Sequence, residues 1–127
     1  MSQINTNWEI NGNAYPLNMQ DVDDAAKYEA AFDAMAEEER AIPKDGRLSD
    51  LLRAKADLYR NLFDRLFGNG ASLEIFGERN DLTAMDDIYE QFLTFVSKQV
   101  DEAKARQSSI IERFSPNRAQ RRAANRR

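Results

Sequence analysis

Carboxylates are the one catalytic side-chain type that this chain carries in quantity: 22 of its 127 residues are Asp or Glu, and histidine and cysteine are both absent. The commonest general base, the commonest zinc ligand and every Ser-His or Cys-His pair are excluded with them. Asp86, Asp87 and Glu90 stand at helical spacing, so that Asp86 and Glu90 share a face, where two carboxylates could hold a hard cation or act as an acid and a base. Such work needs burial to tune the carboxylates, and nothing around them in the sequence supplies it. They read as a solvated face beside Met85, Tyr89 and Phe92. Asp21-Val22-Asp23-Asp24 opens like a calcium loop but lacks the central Gly and terminal Glu that such a loop requires, so it reads as the acidic start of a helix.

The remaining motifs point away from catalysis. Gly68-Asn69-Gly70 has no strand before it and no Lys-Ser or Lys-Thr after it, which a phosphate-cradling loop needs, so it reads as a helix stop. Tyr28, Phe32, Phe92 and Phe95 could stack on bases, but their helical spacing places them in a core. No metal or other cofactor is expected. The chain reads as a non-enzyme.

Charge is distributed unevenly. Six of the 18 basic side chains, Arg113, Arg118, Arg121, Arg122, Arg126 and Arg127, fall in the last fifteen residues, which hold no acid. Twelve bases against 22 acids remain in residues 1–112, a net charge of −10. The tail has no apolar side chain larger than Ala after Phe114, so it offers guanidinium forks that match phosphate or carboxylate. A nucleic-acid arm, a contact with protein or with the acidic body itself, and a passive end all remain open. The body's charge weighs against nucleic acid, because it repels a phosphate backbone over about a Debye length.

The elements that position these residues follow from pattern. Asn11-Gly12 is a strong two-residue turn signal, which sets Trp8 opposite Tyr15, Ile10 opposite Asn13 and Thr6 opposite Leu17. Trp8, Ile10, Tyr15 and Leu17 then share one face, which must pack on something. A first helix starts at Asp21, with Asn18 as a rival cap, along the stripe Val22, Ala25, Tyr28, Phe32 and Met35, and stops before Pro43. A second starts at Ser49 and carries a stripe broad enough for two neighbours: Leu51/Leu52, Leu58/Tyr59, Leu62/Phe63 and Leu66/Phe67. It ends at Gly68, expected as the left-handed residue. A short turn of helix over Ala71–Phe76 is closed by Gly77. The longest helix is capped by Asn80 or Asp81 and runs Leu82, Met85, Ile88/Tyr89, Phe92, Phe95/Val96, Val100 and Ala103. Lys104 to Ser109 is polar all round, so this half should leave the core.

The expected fold is therefore mainly α. A short N-terminal β-hairpin (5–18) packs on a three- to four-helix bundle (about 21–40, 49–67, 71–76 and 81–112), with a projecting C-terminal helix and a basic tail. Residues 1–112 form one globular domain and 113–127 the tail. No apolar run approaches the ~18 residues of a membrane span, and no signal peptide opens the chain. The expectation is a soluble, intracellular protein with no membrane partner.

Ile10-Asn11-Gly12-Asn13-Ala14-Tyr15-Pro16-Leu17 leads into Asp24-Ala25-Ala26-Lys27-Tyr28-Glu29, and Leu66-Phe67-Gly68 and Ile75-Phe76-Gly77 follow. The chain then ends on Asn117-Arg118-Ala119-Gln120-Arg121-Arg122 and five further residues. Taken together, these segments resemble the small tail-module proteins of phages and prophages of Gram-positive bacteria, the tail assembly chaperones and their relatives. The resemblance implies a protein without catalytic residues that coats a long helical tape measure protein in the host cytoplasm until tail-tube subunits assemble around it. Its partners would be that client and copies of itself. A structural subunit retained in the virion and a small nucleic-acid-binding or regulatory protein are the alternatives. The candidates for a client surface are those of Leu51, Leu52, Tyr59, Phe63, Tyr89 and Phe92 that the core leaves exposed.

Overall fold

A computed structural model describes residues 4–114. The element order is β1 (Asn7–Ile10), β2 (Asn13–Pro16), α1 (Val22–Arg40), α2 (Leu48–Phe67), α3 (Ala71–Phe76) and α4 (Leu82–Phe114). The hairpin has the register that its turn dictates, with Trp8 opposite Tyr15 and Ile10 opposite Asn13. Asn11 and Gly12 both take positive φ, 53° and 77°, as a type I′ turn requires. The Leu17 N–H donates to the Thr6 carbonyl at 2.8 Å, carrying the ladder one pair further. Pro16, without an N–H, ends β2.

Local chemistry explains most helix ends. Asp21 caps α1, and its Oδ1 accepts from the Asp23 and Asp24 N–H groups at 2.9 and 3.1 Å. Asn18 holds the preceding turn instead, accepting from Gln20 N–H on its side chain. For α4, Asp81 prevails over Asn80: its Oδ1 accepts from Thr83 N–H at 3.0 Å, whereas the Asn80 side-chain oxygen is taken by Arg60 Nε at 2.8 Å. Two expectations fail. Helix α2 begins one residue ahead of Ser49, because the Arg47 carbonyl already accepts from Asp50 and Leu51 N–H. Gly68 is not the left-handed residue; it leaves α2 at φ 104°, ψ 161°, and Gly70 (φ 93°, ψ −10°) takes that conformation to start α3. Helix α4 runs through Phe114, two residues past its expected end.

Helix α2 is central and packs against α1, α3 and α4. It runs parallel to α4, since Ala56 and Tyr59 meet Met85, Lys55 meets Asp86 and Phe63 meets Phe92. Helix α1 runs against both, as the Tyr28–Phe92 and Phe32–Tyr89 contacts place it. The short α3 and its flanking loops return the chain to the level where α4 can start about one turn past the beginning of α2. Arg60 closes this return. Its guanidinium donates to the carbonyls of Gly77 (2.8 Å) and Arg79 (3.3 Å) and lies 5.7 Å from the Phe76 ring centre.

The hairpin is a wedge between α2 and α4. Trp8 is 4% exposed, stacks on Phe63 with ring centres 5.5 Å apart and meets the edge of Phe92 at 5.1 Å. Phe63 and Phe92 contact each other edge to face at 5.1 Å. Two hydrogen bonds pin the ribbon to α3: Asn11 Nδ2 to the Ile75 carbonyl (2.7 Å) and the Tyr15 hydroxyl to Glu74 Oε1 (2.9 Å). Val22, expected to open the α1 stripe, is 82% exposed instead, because the buried face of α1 begins only at Tyr28 and Ala31.

Replacing Trp8 by Ala should destabilise the domain by about 3–5 kcal/mol, measured by urea unfolding, with the far-ultraviolet helical signal retained in the absence of denaturant.

Candidate protein-binding surface

The core takes half of the expected surface. Phe63 and Phe92 are completely buried beneath Trp8, and Tyr59 is buried against Met85 and Tyr89. These three are corrected from surface candidates to core residues. They project from the faces along which α2 and α4 meet, so an apolar partner already covers them. Leu51 and Tyr89 are half-buried, and only Leu52 of the six is exposed.

Leu52 has a neighbour that the sequence reading passed over. Leu48, 72% exposed, lies one turn earlier on the same face, and Leu52 is 40% exposed. It was missed because the helix was expected to start after it. The two leucines stand on an overhang. Helix α2 is met by the start of α4 at Met85 and by the end of α1 at Glu38, which bonds Asn61 and Arg65. The first turn of α2 therefore extends past both neighbours, and Leu48–Arg53 is exposed apart from half-buried Leu51. The overhang also reverses the body's charge. Residues 44–55 hold Lys44, Arg47, Arg53 and Lys55 against Asp45 and Asp50. Lys55 lies 3.3 Å from Asp86; among the described residues, Lys44, Arg47 and Arg53 make no ion pair.

Two of the acidic residues singled out for chemistry make contacts within the fold. Asp86 accepts from the Tyr59 hydroxyl and meets Lys55, and Asp87 accepts from Gln91 at 3.3 Å. At the glycine turn, Asp64 Oδ1 accepts from the Ser72 N–H at 2.8 Å, so a carboxylate stands where a phosphate would have to bind. Among the described residues, no group of three or more Asp or Glu is placed to hold a metal ion, and no helix is long and apolar enough to cross a membrane. Arg118, Arg121, Arg122, Arg126 and Arg127 of the expected basic contacts lie outside the described residues, and Arg113 falls within the last turn of α4.

One internal polar residue escaped notice. Gln99 falls on the apolar stripe of α4, seven residues after Phe92, and is 2% exposed. Its Nε2 donates to the carbonyls of Asn5 (2.7 Å) and Leu17 (3.0 Å), and its Oε1 accepts from the Met19 N–H. A polar side chain inside an otherwise apolar stripe was the available signal. Gln99 satisfies the backbone on both sides of the hairpin and ties it to α4.

Burial also governs the ionisable groups. It raises the pKa of all four tyrosines, Tyr15, Tyr28, Tyr59 and Tyr89, with the Asp86 and Glu74 carboxylates adding to the effect at Tyr59 and Tyr15. The Arg65 fork, at 2.7 and 3.2 Å, holds the Glu38 carboxyl below its usual pKa. That pair is partly exposed, so its contribution is at most about 1 kcal/mol.

A model of the family of unknown function DUF6673 matches residues 11–125, and the chain belongs to that family. No curated protein and no solved structure matches it.

Gln99→Leu should cost about 1–3 kcal/mol or more by stranding the Met19 N–H and two carbonyls, read as a lower urea midpoint. Because the folded tyrosines hold their protons more tightly than the unfolded ones, their contribution is complete below the unfolded pKa of about 10 and is lost as pH rises beyond it. Stability should therefore fall above that pH, and absorbance titration should place tyrosinate formation in the folded protein above that of the chain in denaturant.

Proposed function

We propose that this member of DUF6673 is a non-enzymatic tail assembly chaperone that binds a long helical client, such as a phage tape measure protein, in the host cytoplasm. The observation that supports the reading is the overhanging start of α2, where Leu48 and Leu52 lie on one face, 72% and 40% exposed. An amphipathic client helix would lay its apolar stripe against these leucines, with half-buried Leu51 beside them. The resemblance carried by the Asn11-Gly12 hairpin and by Asn117-Arg118-Ala119-Gln120-Arg121-Arg122 names the class of client. The acidic body suits the role, because its net charge keeps a loaded complex in solution.

Tagged protein co-expressed with the products encoded next to it should capture one long helical protein among them and hold it in moderate salt. Leu48→Asp with Leu52→Asp should reduce the capture at least about tenfold, the loss of some 1.4 kcal/mol, while leaving the circular dichroism unchanged. Capture that ignores both leucines, or recovery of nucleic acid alone, would remove the reading.

A further inference from the structure

The charged side chains at the start of α2 are not spread evenly round the exposed pair Leu48 and Leu52. At about 100° per residue, Arg47 falls about 100° from Leu48 on one side, and Arg53 falls about 100° from Leu52 on the other. Asp50 falls about 160° from both leucines, on the back of the helix. Arg47, Asp50 and Arg53 are all exposed. The leucine pair is thus bordered on both sides by guanidinium groups, and among the described residues neither Arg47 nor Arg53 makes an ion pair. Lys55, on the leucine side one turn further along, is balanced by Asp86 at 3.3 Å, and Lys44 and Asp45 offset each other in the loop before α2. On the elements packed against α2, Asp86 also accepts from the Tyr59 hydroxyl, Asp81 caps α4 and Glu38 is held by Arg65.

This rim stands on a body of the opposite sign, since residues 1–112 carry a net charge of −10. Two apolar side chains between two guanidinium groups match a partner that brings an apolar stripe and negative charge together. The chain's own C-terminal segment does not, because residues 115–127 hold five Arg and no acid. Nucleic acid brings the charge without the stripe, and the acidic body repels it. A basic amphipathic helix would be drawn to the body at large rather than to this one place.

We infer that the α2 overhang selects an acidic amphipathic helix, whose apolar side chains lie on Leu48 and Leu52 while Asp or Glu at the margins of its stripe reach Arg47 and Arg53. Leu48 and Leu52 are one turn apart on a helix, the spacing that the apolar ridge of a second helix repeats. This rests on the client reading above and adds which segment of a long client is gripped. Exposed ion pairs are individually weak, so the leucines hold the segment and the arginines choose it.

Two synthetic peptides of about five helical turns, alike in their leucine stripe but flanked by Glu in one and by Gln in the other, test the selection on full-length protein by fluorescence anisotropy. At about 0.15 M salt, charges more than about 8 Å away are largely screened, so the local rim decides. The Glu peptide should bind about fivefold more tightly than the Gln peptide, and about 0.5 M salt should shrink the difference. Arg47→Glu with Arg53→Glu should abolish the preference while leaving the affinity for the Gln peptide and the unfolding midpoint unchanged. Leu48→Asp with Leu52→Asp should weaken the binding of both peptides. Equal binding of the two peptides, lost from both with the leucines, would overturn the acidic preference and leave the client reading standing. A preference that survives the arginine reversal, or no binding of either peptide, would also overturn the inference, and the capture experiment would still decide the client reading by itself.

Discussion

The contact of Trp8 with Phe63 and Phe92 is the constraint on which the rest of the structure depends. The parallel helices α2 and α4 touch directly through Phe63 and Phe92, and a single indole packs against both rings, stacked on one and edge-on to the other. Aromatic pairs of these geometries add about 0.5–1.5 kcal/mol each beyond the area they bury. The two-stranded ribbon that delivers Trp8 would be marginal in water by itself. The hairpin therefore depends on the bundle for its stability, and the hydrogen bonds of Gln99, Asn11 and Tyr15 to or from the ribbon and its flanks hold the wedge in one position.

The parallel arrangement of α2 and α4 has a second consequence. Since α3 and its loops do not carry the chain all the way back, α4 starts about one turn past the beginning of α2, as the contacts of Met85 with Ala56 and of Asp86 with Lys55 place it. The stagger leaves the first turn of α2 uncovered at one end, and the greater length of α4, 33 residues against 20, leaves its last turns uncovered at the other. The same stagger that exposes Leu48 also brings Phe63 level with Phe92, so the packed core and the free ends share one geometric origin.

Electrostatics organise the surface rather than the core. The interior holds few polar groups, and among the described residues no buried side-chain nitrogen or oxygen lacks a hydrogen-bond partner. The tyrosine hydroxyls reach carboxylates at the edge of the core in two cases, Tyr15 to Glu74 and Tyr59 to Asp86. Asp86, one of the carboxylates that spacing offered for chemistry, thereby ties α4 to α2. Charge is left for the ends, where the basic overhang stands out against an acidic body.

Local signals in the sequence determined the elements. Asn11-Gly12 sets the turn and, through it, the pairing of Trp8 with Tyr15; Asp21 and Asp81 start their helices because a carboxylate satisfies free N–H groups; and three- and four-residue spacing marks the stripes of α2 and α4. The same signals placed Tyr59, Phe63 and Phe92 on apolar faces without saying whether those faces meet partners, because periodicity records direction around a helix and not distance to the next one. Val22 fits the α1 stripe by spacing and is exposed, since α1 starts beyond the edge of the core. Gln99 is polar and fully enclosed, since the ends of the hairpin, eighty or more residues away in the chain, needed its amide. Tertiary structure alone decided the stagger of α2 against α4, and with it which leucines are buried and which are free. That choice depends on how far the α3 return and the Trp8 wedge let two helices slide past each other, and neither limit is a property of any local stretch of chain.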